Sequence, residues 1–301
     1  MDNSRTRTPV LITAWTVILT IALFKIVLQE IFHYPVSPNL QYGLPALIVL
    51  AGFGLTFVWK AIRPLRAFFG LFIVLLAAQW LVYTRVDALP FYRAWIKNPS
   101  FSVYMLAEEG LNLMVTLAVI AYLFILLKKR TAFFLTMGDL AAPVQEPIKW
   151  LGIKTGDKWN AVAPIATVCI SLGTLVFLVL AGKPSLSSLA RVLPFLPAVL
   201  LAAVVNAFTE EMTIKASFLS LLKDVAGKQQ SLLLMAAYFG ILHFYGVPYG
   251  ITGVIMATFL GWFLGKSMLE TRGLFWAWFI HFWQDVLIFI FLAIGFVTPG
   301  G

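Results

Sequence analysis

Long apolar runs separated by short polar stretches set the pattern of this chain. They cover residues 9–31, 42–59, 67–83, 101–127 and 161–181, and a sixth runs from Pro197 to Lys223. Three more follow, bounded by polar stretches at 225–230 and 265–273. A helix crosses a ~30 Å hydrocarbon layer with about 20 apolar residues, so the pattern predicts an all-α, polytopic transmembrane helical bundle of about nine spans. The first run lacks a small-x-small cleavage site and is too long for a signal-peptide core, which makes it a retained helix. Lys25 and Gln29 share one face near its far end, where a packed or snorkelling role is expected. Pro90 and Pro99 mark 85–100 as a link along the surface. Lys149-Trp150-Leu151, inside the polar stretch 128–160, predicts a segment in the lipid headgroups.

Composition narrows the class. With 61% hydrophobic and 12% charged residues, the 301-residue chain cannot cover itself with an ordinary water-soluble surface. No polar stretch reaches domain length. The chain divides into a membrane region of four spans plus a cytoplasmic loop at 1–160, and a five-span core at 161–301. The net charge of +9 comes from basic clusters between spans, as for loops facing anionic lipid; no nucleic-acid module is present. The N-terminus and the loops after spans two, four, six and eight hold fifteen of the 22 Lys and Arg residues, and the intervening loops hold five. That asymmetry predicts a cytoplasmic N-terminus, and a C-terminus, Thr298 to Gly301, on the opposite side. The lone Cys169 excludes an intramolecular disulfide.

Chemistry-bearing residues stand out against this background because an ionisable group at the centre of a membrane helix costs roughly 2.5–3.5 kcal/mol. The sixth run carries Asn206, Glu210, Glu211 and Lys215; Phe239 and His243 follow on the next, and His281 with Asp285 on the last. Glu211 and Lys215 are spaced for an i to i+4 ion pair with the acid first, which leaves Glu210, about 100° around the helix, free to face a neighbour. Asn206 stands one turn before Glu210 and can support it. Glu210 lies thirteen residues before Lys223, and His243 thirteen after Gln230. Each is thus roughly 20 Å along its helix from the cytoplasmic face, and His281 roughly 12 Å, so three helices can bring these groups together. A histidine beside a carboxylate can deprotonate a water and return the proton to a leaving group, and a second histidine can donate to an oxyanion. Glu108 and Glu109 form a second acidic pair, with Asn112 one turn after Glu108; Glu108 lies only about 10 Å along its helix from the start of the run and is expected to reach interfacial water.

In these residues the chain resembles the CPBP family of intramembrane proteases (CAAX protease and bacteriocin-processing, or Abi), to which the type II CAAX prenyl endopeptidases belong. The family shows a Glu-Glu pair with Arg four residues after the second Glu, then Phe-x-x-x-His, then His-x-x-x-Asn or Asp. Here they stand as Glu210-Glu211 with Lys215, Phe239 with His243, and His281 with Asp285. The resemblance implies hydrolysis of a peptide bond in a membrane-associated protein or peptide, with Glu210 and His243 activating water and His281 with Asp285 stabilising the oxyanion. Lys215 departs from the usual Arg, Ala216 stands where Gly is common, and Asp285 replaces the more familiar Asn. An ionised Asp cannot donate to an oxyanion, so Asp285 is expected to orient His281. A glutamate-type enzyme without cofactor is favoured; zinc on Glu210, His243 and His281 is the alternative, although no His-Glu-x-x-His is present. A non-catalytic relative with an immunity or scaffold role is the competing function. A transporter ranks below it, since no repeated or broken spans occur in matching halves. The oligomeric state is not legible, and the expected setting is a bacterial inner membrane. A reporter fused after Gly301 is expected to be active only outside the cytoplasm; cytoplasmic activity would contradict the nine-span threading.

Overall fold

A computed structural model describes residues 3–297. The expected position of the C-terminus, at Thr298 to Gly301, lies outside the described residues. The chain forms twelve α-helices with short 3-10 and π turns between some of them, and no strand among the described residues. They are α1 Asn3–Ile26, α2 Pro38–Val58, α3 Arg66–Leu81, α4 Pro90–Trp95, α5 Phe101–Leu127, α6 Trp159–Gly182, α7 Leu186–Val192, α8 Leu196–Glu210, α9 Ser217–Leu222, α10 Lys228–Leu242, α11 Ile251–Thr271 and α12 Phe275–Val297. Local sequence sets several boundaries. The Ser37 and Ser100 hydroxyls accept the backbone N–H of Leu40 and Val103, with Pro38 in the first turn of α2. At their C-terminal ends α5, α6 and α11 pass into left-handed Lys128, Lys183 and Arg272, which place a cation beside the terminal carbonyls.

Eight helical segments among the described residues are long and apolar enough to cross a membrane. The ninth apolar segment is α10, whose 15 residues rise only about 22 Å. It ends at His243, and the chain turns through Gly246, Pro248 and Gly250 into α11. The α10–α11 hairpin packs closely because Gly240 faces Thr258, and a Cβ on Gly253 would lie 2.9 Å from the His243 carbonyl oxygen. Large apolar side chains such as Ile12, Leu47, Leu180 and Ile255 are exposed on the outside, as a lipid-facing surface requires. Inside, one apolar cluster joins residues from Val10 to Ile280.

Two polar stretches behave differently from their sequence pattern. Residues 265–273, expected as a loop, are helical through Thr271. Gly265 there serves packing against Met235 and Leu232, and Lys266 and Glu270 pair at 2.5 Å within the helix, almost fully buried. Lys266 is therefore no loop charge. The stretch 128–160 folds back over the same end of the bundle: Trp159 donates to Glu270 at 2.8 Å, and Asp139 N–H donates to the Thr271 carbonyl. Trp150 remains exposed and stacks on Trp262. Removing one partner of a buried pair costs about 3–5 kcal/mol. Glu270→Gln is therefore expected to lower the thermal midpoint strongly, and Glu270→Gln with Lys266→Met to recover most of the loss. No recovery in the double variant would show that the pair is not what holds this end together.

Candidate active site

The helix carrying Glu210 runs continuously from Leu186 to Leu222, but its backbone widens into a π turn over Glu211–Ala216. Widened turns leave carbonyls short of partners, and hydroxyls take them here: Ser217 Oγ reaches the Thr213 oxygen at 2.5 Å, and Thr209 Oγ1 donates to Asn206 O at 2.9 Å. The local rewinding falls between the two glutamates and Lys215, where charge is concentrated.

Glu211 and Lys215 are fully buried, with Lys215 Nζ 2.7 Å from Glu211 Oε1. The ammonium lies off the line of a good hydrogen bond to that oxygen and sits 3.3 Å from the centre of the Phe239 ring. The ring face is its second stabilising contact. Phe239 in turn touches both histidines, with ring centres 4.3 Å from His243 and 6.0 Å from His281. The spacing-based pairing of Glu211 with Lys215 is observed, but Glu211 does more than neutralise a lysine. The same Oε1 accepts from His281 Nδ1 at 2.7 Å. His281 is thus oriented by Glu211 and not, as the sequence suggested, by Asp285. Asp285 Oδ1 is 3.6 Å from Nε2, and its Oδ2 accepts from Asn206 Nδ2 at 3.1 Å.

Glu210 occupies the meeting point. Its Oε2 lies 3.6 Å from His243 Nε2 and 3.5 Å from His281 Nε2, while Oε1 faces Asn206 Nδ2 at 3.5 Å. These separations are longer than good hydrogen bonds, so Glu210 Oε2 is held close to both rings without being locked to either. The tautomers follow from the outer contacts. His243 Nδ1 faces the Phe239 carbonyl at 2.7 Å, and a carbonyl only accepts, so the Nδ1 proton is fixed there. His281 Nδ1 is held as a donor by Glu211. Both Nε2 atoms therefore face Glu210, as lone pairs on neutral rings or as donors on charged ones. Exposure separates the roles: Glu210 and His243 side chains are 28% and 30% open, against 0% for Glu211 and Lys215.

Asn206, Glu210, His243, His281 and Asp285 line a cavity of about 320 Å³ whose other walls are mostly apolar, among them Leu178, Val247, Met256, Leu260 and Phe289. Two residues there were given no role from the sequence. Glu109, set aside together with Glu108, is buried on α5, lines this cavity and accepts from Asn112 Nδ2 at 3.2 Å. Gln284 accepts from Thr174 and donates to Ser171, pinning α12 against α6 one residue from Asp285. The signal for Glu109 was its place in a carboxylate pair within an apolar run. For Gln284 it was a lone amide in an aromatic-rich helix.

Residues 192–287 match the family model described as Type II CAAX prenyl endopeptidase Rce1-like. This segment is Rce1-like. Asn206, Glu210, Glu211, Lys215, Phe239, His243, His281 and Asp285 all fall inside the Rce1-like segment, and Glu109 lies outside it. The match agrees with the CPBP resemblance and supports a peptide hydrolase in an integral, multi-pass membrane protein. No curated protein and no solved structure matches the chain.

The two glutamates differ in what their loss leaves behind. Glu211→Gln strands Lys215 and releases His281, a buried-pair loss of about 3–5 kcal/mol. Glu210→Gln leaves every buried ion intact. Thermal unfolding in detergent is expected to show a large drop for Glu211→Gln, little change for Glu210→Gln, and recovery for Glu211→Gln with Lys215→Met. Equal drops for the two single variants would refute this division.

Proposed function

We propose that the protein is a glutamate-type intramembrane endopeptidase that hydrolyses a peptide bond in a membrane-associated protein or peptide. The observation that carries this reading is Glu210 Oε2 set between the Nε2 atoms of His243 and His281, at the polar end of an apolar cavity. A water held in the cavity beside Glu210 and His243 is deprotonated as its oxygen attacks the scissile carbonyl carbon. The proton is then passed to the amide nitrogen as the C–N bond breaks, giving a carboxylate and an amine. His281 receives support for its charged form from the Glu211 carboxylate on Nδ1, so its Nε2–H can donate to the developing oxyanion.

Asp285 cannot itself donate when ionised. Its Oδ2 accepts from Asn206 Nδ2, which also faces Glu210 Oε1, so Asn206 and Asp285 together hold the Glu210 carboxylate in place and leave the oxyanion to His281. The apolar walls take the side chains that flank the cleaved bond, and burial strengthens each charge interaction at the polar end.

Zinc was the alternative for Glu210, His243 and His281. Among the described residues no group of three His, Cys, Asp or Glu side chains is arranged to hold a metal ion. Purified protein dialysed against a chelator is expected to keep its activity, and loss that zinc restores would contradict the glutamate-type reading. In cells carrying Glu210→Gln, the substrate is expected to accumulate uncut at normal levels of the variant protein. Normal processing with this variant would rule out Glu210 as the base.

A further inference from the structure

We infer that a second chamber, lined mostly by residues with polar side chains and meeting the first at Asn206 and Glu210, is a water site that supplies Glu210, an inference that rests on the hydrolase reading above. The chamber measures about 130 Å³ and shares only Asn206 and Glu210 with the apolar cavity. Its remaining walls come from α3 and its following turn, α5, and the length of chain after Asn206, and most of them are polar: Gln79, Tyr83, Asn112, Thr116, Thr209 and Thr213. An ordered water needs at least about 10–15 Å³ and two to four polar partners, so this space holds several. Polar side chains at membrane depth face the bundle interior or a water-filled cavity.

The hydrogen bonds show how the lining is organised. Thr116 Oγ1 donates to the Asn112 carbonyl at 2.9 Å and so accepts from Thr213 Oγ1 at 2.8 Å. The Tyr83 hydroxyl donates to Asn112 Oδ1, and Asn112 Nδ2 donates to Glu109 Oε2. These bonds fix the side chains while leaving the Tyr83 oxygen lone pairs and the second Asn112 N–H to meet water. Glu210 lines both cavities, and its Oε2, which accepts no hydrogen bond from the described residues, is itself covered by protein. Hydrolysis consumes one water per bond, and a substrate filling the apolar cavity blocks entry from that side. A separate wet chamber that also borders Glu210 removes the conflict. It also gives α3 and α5, which lie outside the Rce1-like segment, a part in the reaction.

The test uses silver ion, a thiol reagent that moves through water, is excluded from lipid and is small enough for the chamber. Glu210→Cys and the lipid-facing control Leu117→Cys are made with Cys169→Ser, and the thiol remaining after silver exposure is counted on the unfolded protein. Cys at position 210 should be consumed roughly ten-fold faster than at 117, because the thiolate that binds silver forms in a wet site and is suppressed in an apolar one. Adding Asn112→Leu, or the same-shape pair Thr116→Val and Thr213→Val, should slow the reaction at 210 by a similar factor. Should one of these fail to fold, the other carries the comparison. A rate at 210 no faster than at 117, or one that folded chamber variants leave unchanged, overturns the inference. The experiment needs no turnover, so its failure is distinct from failure of the protease reading, which shows instead as normal processing by Glu210→Gln.

Discussion

The arrangement around Glu211 is the constraint on which the site depends. A carboxylate with no exposure to solvent has to be matched, and Glu211 is matched twice at one oxygen, by Lys215 from its own helix and by His281 from α12. Breaking such a pair costs several kcal/mol, comparable with a large share of a domain's net stability. That cost fixes the rotation of α12 about its axis, which in turn aims His281 Nε2 at Glu210. Phe239 extends the same constraint to α10, since its ring faces the Lys215 ammonium and its carbonyl sets the tautomer of His243. One buried charge thus orders three helices, while Glu210 itself stays free of any ion pair that stability requires.

The division between a fixed carboxylate and a free one explains how a membrane protein can keep a reactive group at all. Glu211 and Lys215 are committed to each other, whereas Glu210 sits beside two Nε2 atoms at distances longer than good hydrogen bonds and lines two cavities. The packing of α3 and α5 against α8 matters for the same reason. Glu109 reaches the apolar cavity from α5, and Asn112 and Thr116 line the second chamber, so residues outside the Rce1-like segment complete both surroundings of Glu210.

How much of this was legible follows from which quantities a helix fixes by itself. Rise per residue is constant, so counting thirteen residues from Lys223 and from Gln230 placed Glu210 and His243 at matching depth, and the structure brings them together. The i to i+4 spacing of Glu211 and Lys215 was readable for the same reason. Rotation and tilt are set by partners and were not. The pair Glu108 and Glu109 was set aside because Glu108 lies near the start of its run, and depth alone says nothing of which way Glu109 faces. The orienting bond to His281 was assigned to Asp285, its helical neighbour, because the contact from Glu211 is made across helices. The polar residues at 265–273 read as a loop because Lys266 and Glu270 look solvated until Trp159 is seen covering them.

The central claim is that Glu210, between His243 and His281, adds water to a peptide bond within the membrane. The most direct measurement is to incubate membranes containing the wild-type or the Glu210→Gln protein in heavy-oxygen water and to identify new peptide C-termini by mass spectrometry. The account predicts C-termini that carry one heavy oxygen with the wild type and are absent with Glu210→Gln. The same labelled ends in both samples, or none in either when a cleavable membrane peptide library is supplied, would contradict it.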